Sequence, residues 1–326
     1  MTNPIRWGIL GTGSIARSFA TGLAADPGSR LVAVGSRTAA TAAAFAAKFP
    51  CTAHGSYAEL CADPAVDVVY IASPHPGHHA HALLAIAAGK AVLVEKPFTL
   101  NARQSAEVIA AAQAAGVFCL EAMWMRFLPA VRQAAAWLAA GAIGEVRMVT
   151  ADFGFRGPED PRSRLLDPAL GGGALLDVGI YPLSFACLAL GSAPTSIQAT
   201  ARLGATGVDE QTAITLGWDS GALASLTCAV RTATRQDAVI YGTRGRIEVP
   251  DFWHATEAIL RVTGEPEIRV PAPHLGNGYT HEAIEVGRCL RAGLRESPVL
   301  PWAETLAIMR ILDACRAQFG LVYPGE

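Results

Sequence analysis

Charge is scarce in this chain and nowhere concentrated. Only 17% of its 326 residues are Asp, Glu, Lys or Arg, and 26 basic against 28 acidic side chains leave a formal net charge of -2. With no long basic run, neither nucleic acid nor an anionic membrane is an expected partner. Cysteine is sparse too: seven residues, Cys51, Cys61, Cys119, Cys187, Cys228, Cys289 and Cys315, odd in number and scattered. None stands in a CxxC or Cys/His ligand spacing, so neither a disulfide framework nor a zinc site is expected. No 18-residue apolar span is free of glycines or charges, and the chain enters its first strand without a signal peptide, so a cytoplasmic protein is the expectation. What the chain does have is apolar surface, 51% of its residues. At this length that is more than one core holds, so two domains are expected.

Ile5-Arg6-Trp7-Gly8-Ile9-Leu10 reads as a strand and runs into Gly11-Thr12-Gly13-Ser14-Ile15-Ala16, then a helical pattern through Ala24. This is G-x-G-x-x-A between strand and helix, the context that binding of a dinucleotide demands. Gly11 permits the tight turn and Gly13 lets backbone approach a pyrophosphate. Ala16 packs the helix closely on the sheet, and the amides at Ser14 and Ile15 face the anion. The second strand, Leu31 to Val34, ends in Gly35-Ser36-Arg37-Thr38. No carboxylate is there to take the ribose hydroxyls of NAD. Ser36, Arg37 and Thr38 suit a 2′-phosphate instead, so NADP(H) is expected over NAD(H).

The alternation continues with helices at Ala39 to Lys48 and Ser56 to Ala62, then a strand, Val66 to Ala72. That strand ends in Ser73-Pro74-His75-Pro76-Gly77-His78-His79, and His78 to Ala88 is helical up to Gly89. The histidines lack a metal-ligand spacing. Ser73, Pro74, His75 and His78 are expected to line the nicotinamide side of a cofactor cleft, with no metal. Ala91 to Val94 is a short apolar strand that stops in Glu95-Lys96-Pro97, two charges at a strand's carboxyl end, where open α/β sheets bind ligands. A helix capped by Asn101 follows to Ala115, then a strand from Val117 to Leu120. This inventory predicts a doubly wound Rossmann domain over residues 1–124.

Residues 125–326 read as an α+β domain on a mostly antiparallel open sheet. A helix from Leu128 to Ala140 precedes strands at Val146 to Phe155, Thr195 to Leu203, Gln211 to Trp218, Ala222 to Val230, Ala238 to Tyr241 and Arg246 to Val249. Helices near Thr280 to Ala292 and Trp302 to Phe319 close it. Between the first two strands, Gly171-Gly172-Gly173 opens a predicted helix with Asp177 and Tyr181 four apart, on one face. Such a pair could simply brace the helix. Three glycines in a row, however, are costly there and allow close backbone approach. If this face meets Lys96 across the cofactor, Tyr181 has the logic of a proton carrier, since a positive charge favours the phenolate, and Asp177 would orient substrate or lysine.

The fingerprint at Gly11, Gly13 and Ala16, with Glu95-Lys96-Pro97 and Asp177-x-x-x-Tyr181, resembles the glucose–fructose oxidoreductase/inositol dehydrogenase/rhizopine catabolism (Gfo/Idh/MocA) family along essentially the whole chain. Most of that family carries His where this chain has Tyr181. That departure, with Glu121 to Phe127 and Gly171 to Tyr181, is similar to the branch of dimeric dihydrodiol dehydrogenase and NADP-dependent D-xylose 1-dehydrogenase. The resemblance implies Lys96 and Tyr181 as the catalytic pair, and Glu95 and Lys96 beside the cofactor. It places Trp124, Arg126, Phe153, Asp177, Tyr181 and Trp253 around the substrate, a sugar or a cyclic polyol or diol. It also implies a cis Lys96–Pro97 peptide and a homodimer formed through the open C-terminal sheet. Another sugar-ring oxidoreductase of the family and a non-catalytic ligand sensor stay open as alternatives.

Overall fold

The computed structural model describes residues 3–326, which form two compact units. One runs as far as Trp124 and takes in His274–Thr305; the other holds Met125–Pro273 and Leu306–Glu326.

The first unit begins with β1 (Ile5–Leu10), α1 (Ser14–Leu23), β2 (Ser29–Gly35), α2 (Ala39–Ala46), β3 (Thr52–His54) and α3 (Tyr57–Ala62). It continues through β4 (Val68–Ile71), α4 (His78–Ala87), β5 (Ala91–Glu95), α5 (Ala102–Ala115) and β6 (Cys119–Ala122). The six strands are parallel in the order β3-β2-β1-β4-β5-β6, as the expected Rossmann sheet requires. Every residue of β4, β5 and β6 is buried because helices cover both faces. Local chemistry ends the helices where the sequence suggests. Thr38, Ser56 and Asn101 each accept a backbone N–H at the start of α2, α3 and α5, and Gly116 closes α5 in the left-handed region at φ 68°. Strand order reverses between β1 and β4, which places the ligand crevice at their carboxyl ends.

The second unit contains α6 (Pro129–Ala139), β7 (Val146–Gly154), α7 (Ile180–Leu190), β8 (Ser196–Leu203), β9 (Asp209–Gly217) and β10 (Leu223–Ala229). It goes on with β11 (Ala238–Gly242), β12 (Gly245–Val249), β13 (Glu257–Val262) and β14 (Ile268–Pro271). The eight strands run in the order β14-β13-β12-β11-β7-β10-β9-β8, antiparallel except where β7 meets β10. Six of these strands are legible in the sequence; β13 and β14 are not. Alternation sorts the faces: Thr212, Ile214 and Leu216 of β9 are buried while Gln211, Ala213 and Thr215 are exposed. Met148 and Leu223, register partners on β7 and β10, are 40% and 51% exposed.

Pro168–Leu190 is long and apolar enough on average to cross a bilayer, although it carries Gly171 to Gly173, Asp177 and Gly179, and 83% of its most apolar window is buried. It is the core segment of the second unit, with Ile180 to Cys187 of α7 entirely buried. One expectation needs correction: the expected second domain, 125–326, loses its stretch 274–305 to the first unit. That stretch carries α8 (Thr280–Arg291) and the first turn of α9 (Trp302–Phe319). The reason is specific pairing. The Thr280 hydroxyl donates to the Gly22 carbonyl at 2.8 Å and Asn277 to the Ser18 carbonyl at 2.8 Å. The Trp302 indole donates to the Cys119 carbonyl at 2.8 Å.

Candidate active site

At the crevice, Gly11 has φ 109°, and a Cβ there would lie 2.8 Å from the Ala72 carbonyl oxygen. The protein itself therefore demands glycine at Gly11. Gly13 is different: it has φ -67° and a Cβ would meet nothing within 4 Å. Only something placed in that space requires its bareness. No side chain caps α1 and no acid sits in its first turn, so the amides at Ser14 and Ile15 are offered to an anion. A cradle that a Cβ would fill, set before a helix N-terminus, fits a dinucleotide pyrophosphate. At the end of β2, the Ser36 and Thr38 hydroxyls are both engaged with Thr41, at 2.6 and 2.8 Å, while Arg37 is exposed.

The loops after β4 and β5 are tied together. Ser73 Oγ meets His81 Nδ1 at 2.8 Å, and Pro74 leads into the short 3-10 turn His75–Gly77, with the His75 ring edge-on to His78 at 5.6 Å. His78 is fully buried, its nitrogens 2.8 Å from the Pro97 carbonyl and 2.9 Å from the Ser73 carbonyl. Burial pulls its pKa down to about 4, against the two carbonyl contacts, which favour the protonated ring. His78 is thus a brace between these two loops. Glu95 is buried as well, accepting the Tyr70 hydroxyl on one oxygen and the Lys96 N–H at 3.2 Å on the other. Glu121 accepts the Phe98 N–H at 3.0 Å. The half-buried Lys96 thus stands on a braced turn, and the Lys96–Pro97 peptide is cis. Among the described residues no group of three or more His, Cys, Asp or Glu converges as a metal site.

Behind this turn lies a residue that the sequence gives no reason to single out. Glu282 of α8 is fully buried and both its oxygens lack a hydrogen-bond partner. Burial, then the charge of Glu95, hold its carboxyl well above the usual range. A carboxyl whose folded pKa exceeds its unfolded one binds its proton more tightly in the native state, so stability falls as pH rises above the ordinary carboxylate range. In Glu282→Gln that fall should be smaller. Denaturant unfolding at a series of pH values from about 5 to 8 measures it, and equal slopes for the two proteins would contradict the assignment.

In the second unit the predicted single helix is two elements. A π-helical turn, Leu175–Gly179, carries Asp177, and α7 then begins at Ile180 and carries Tyr181. Such turns often mark functional sites. Asp177 is 3% exposed and accepts from Arg164 Nη1 at 2.9 Å. The buried Tyr181 ring meets Phe153 edge-on at 5.2 Å, and Phe153 stacks on Trp253 at 4.8 Å. The Trp253 indole donates to Gln236 at 2.7 Å. Tyr181, Phe153 and Trp253 therefore form one aromatic wall, with Asp177 one turn before it. Arg126 is buried against α7, its Nη1 3.4 Å from the Ser184 carbonyl. In the first unit, Trp124 stacks on Tyr279 at 4.5 Å, an approach open because a Cβ at Gly278 would stand 2.6 Å from the indole. Arg164, Gln236 and Tyr279 carry no sequence signal. They lie in loops, and only the folded chain brings them to their partners.

Comparison with known proteins agrees with this geometry. Residues 5–123 match the oxidoreductase family with an NAD-binding Rossmann fold, and residues 131–248 match the GFO/IDH/MocA C-terminal domain. The trans-1,2-dihydrobenzene-1,2-diol dehydrogenase of Mus musculus is 40% identical over 334 residues, spanning 99% of each chain. A 3-ketoreductase from Actinomadura kijaniata, solved with NADP and TDP-benzene, superimposes with a TM-score of 0.85 at 28% identity, covering 97% of this chain and 98% of that one. An aldose-aldose oxidoreductase from Caulobacter crescentus gives a TM-score of 0.89 at 26% identity, covering 98% of this chain and all of that one. With a dinucleotide cradle in its first unit and relatives along its whole length, this chain belongs to the GFO/IDH/MocA family of oxidoreductases.

Proposed function

We propose that this protein is an NADP(H)-dependent oxidoreductase acting on a hydroxyl or carbonyl of a sugar or cyclic diol, with Tyr181 as acid/base and Lys96 assisting it. The observation that carries the reading is the Tyr181–Phe153–Trp253 wall with Asp177 one turn earlier. It sets a phenol against two stacked aromatic rings, the mix of one polar group and apolar rings that a ring-shaped substrate would need. The names of its relatives, a dihydrodiol dehydrogenase, a 3-ketoreductase and an aldose oxidoreductase, support the substrate class.

Gly11, Gly13 and the amides at Ser14 and Ile15 would hold the pyrophosphate, and Ser73, Pro74 and His75 the nicotinamide side. The bound nicotinamide supplies the hydride acceptor or donor. The protein manages the proton. Tyr181 takes it from, or returns it to, the substrate oxygen, and the Lys96 ammonium favours the charged form of the phenol. Asp177, already paired with Arg164, orients the substrate hydroxyls.

The test is NADP+ reduction at 340 nm against D-xylose, D-glucose, myo-inositol and trans-1,2-dihydrobenzene-1,2-diol, with NAD+ in parallel. Turnover of one of these with NADP+ is the expected result. Silence across the panel, with NADPH still bound, would point first to reduction of an untested ketone or anhydro-sugar; if reductive assays were silent too, the ligand-sensor reading would take its place.

The preference for NADP(H) rests on Arg37, the exposed cation after β2, and on the lack of a carboxylate near it. Arg37→Ala should raise the KM for NADP+ by roughly 10- to 100-fold, the loss of one charge-assisted phosphate contact, and leave that for NAD+ nearly unchanged. Equal effects on the two would discard the 2′-phosphate reading.

A further inference from the structure

We infer that Asp209 is a positioning residue that sets the rotation of the Asp177–Tyr181 segment, acting from a distant strand as the N-cap that the segment lacks. The inference rests on the proposed roles of Asp177 and Tyr181. The residue preceding the π-helical turn is Ala174, which has no capping side chain. The first N–H groups of such a segment need a partner. Asp209, the first residue of β9, supplies one. It is fully buried, and its Oδ2 accepts both the Leu175 N–H and the Thr212 hydroxyl, each at 2.7 Å.

Its other oxygen explains the last of the three glycines. Asp209 Oδ1 has no hydrogen-bond partner, and a Cβ at Gly173, where φ is 119°, would stand 2.3 Å from it. The carboxylate therefore lies directly against the Gly173 backbone. The Tyr323 hydroxyl, 3.2 Å from the same Cβ position, donates to the Gly172 carbonyl at 2.6 Å. Tyr323 is itself fixed: its N–H donates to Glu326 at 2.8 Å, and the Arg316 guanidinium lies 5.1 Å above its ring and pairs with Glu326 at 2.7 Å. One group from β9 and one from the C-terminal segment thus hold the backbone before and after Gly173.

A buried carboxylate with an unpaired oxygen is costly, and an apolar pair would pack more cheaply. Burial pushes the Asp209 carboxyl up to about 7, against the hydrogen bonds from Thr212 and Leu175. What the arrangement provides is register. If the segment began one residue earlier or later, its side chains would rotate by about 100°, and neither Asp177 nor Tyr181 would face the same way.

The test uses full-length Asp209→Asn, Asp209→Ala and Tyr323→Phe, with Tyr181→Phe alongside. Two readouts are hydrogen exchange over residues 171–181 and kcat with NADP+ and either trans-1,2-dihydrobenzene-1,2-diol or D-xylose. Asp209→Asn keeps an oxygen for the Leu175 N–H, so exchange and kcat should stay within about threefold of wild type. Asp209→Ala should speed exchange and lower kcat by about tenfold or more, with the NADPH Kd unchanged. Tyr323→Phe should change both readouts in the same direction by less, and it decides the matter if the Ala variant does not fold. Wild-type exchange in Asp209→Ala, or in Tyr323→Phe where the Ala variant is lost, would overturn the inference. Full activity in Tyr181→Phe would overturn the proposed chemistry instead, with exchange still deciding the role of Asp209.

Discussion

Tyr181→Phe is expected to lower kcat by about 10²- to 10⁴-fold, the usual contribution of a positioned acid or base, while the NADPH Kd stays within about twofold of wild type. The substitution removes one oxygen. The ring keeps its edge contact with Phe153 at 5.2 Å, so the wall and the core of the second unit should survive. Lys96→Ala should have an effect of similar size. The turn that carries Lys96 is braced by Glu95, His78 and Glu121 through their contacts with the 96–98 backbone, none of which involves the lysine ammonium. Local structure should therefore persist in that variant too. Because a proton carrier and the charge that tunes it work as one unit, the double variant should be little worse than either single one. Steady-state turnover with NADPH fluorescence titration separates chemistry from binding. If both single variants kept near wild-type turnover, the acid/base assignment would be wrong.

Gly13→Ala and Gly11→Ala should fail in different ways. At Gly13 a methyl group has room and an ordinary backbone, so the free protein should melt within about a degree of wild type, as surface changes free of strain do. The methyl fills space read here as the pyrophosphate's, so the NADPH Kd should rise by about tenfold or more, a loss near 1.4 kcal/mol. At Gly11 the methyl meets the Ala72 carbonyl and the backbone has φ 109°, so stability should fall by about 1–3 kcal/mol and binding should fall with it. Thermal melts with and without NADPH measure both. Unchanged affinity in Gly13→Ala would mean that the cradle does not hold the cofactor.

Much of this protein was determined by local sequence. Period-two and period-3.6 patterns, the cap at Asn101 and the glycine at Gly116 mark most elements, because each depends on neighbours a few residues away. The doubly wound order followed from alternation and crossover handedness. Gly11-x-Gly13 and Glu95-Lys96-Pro97 were legible for the same reason, since each sits where a strand ends. The short exposed edge strand β3 and the late strands β13 and β14 were not, as their patterns are too brief to exceed the background.

Only tertiary structure decided what distant residues do to one another. Burial and two backbone carbonyls made His78 a brace between two loops, a role that its place in a histidine-rich stretch does not announce. Hydrogen bonds to Gly22, Ser18 and Cys119 drew residues 274–305 into the first unit, although hydrophobic periodicity says that a helix has a partner without saying which. Gly171 to Gly173 announced a close approach, but the groups that approach were not legible: the Leu165 carbonyl at Gly172, and at Gly173 the Asp209 carboxylate from another strand. Local pattern selects conformation because backbone sterics act over a few residues. Partner choice is made by packing, hydrogen bonding and desolvation in three dimensions, and those have no period along the chain.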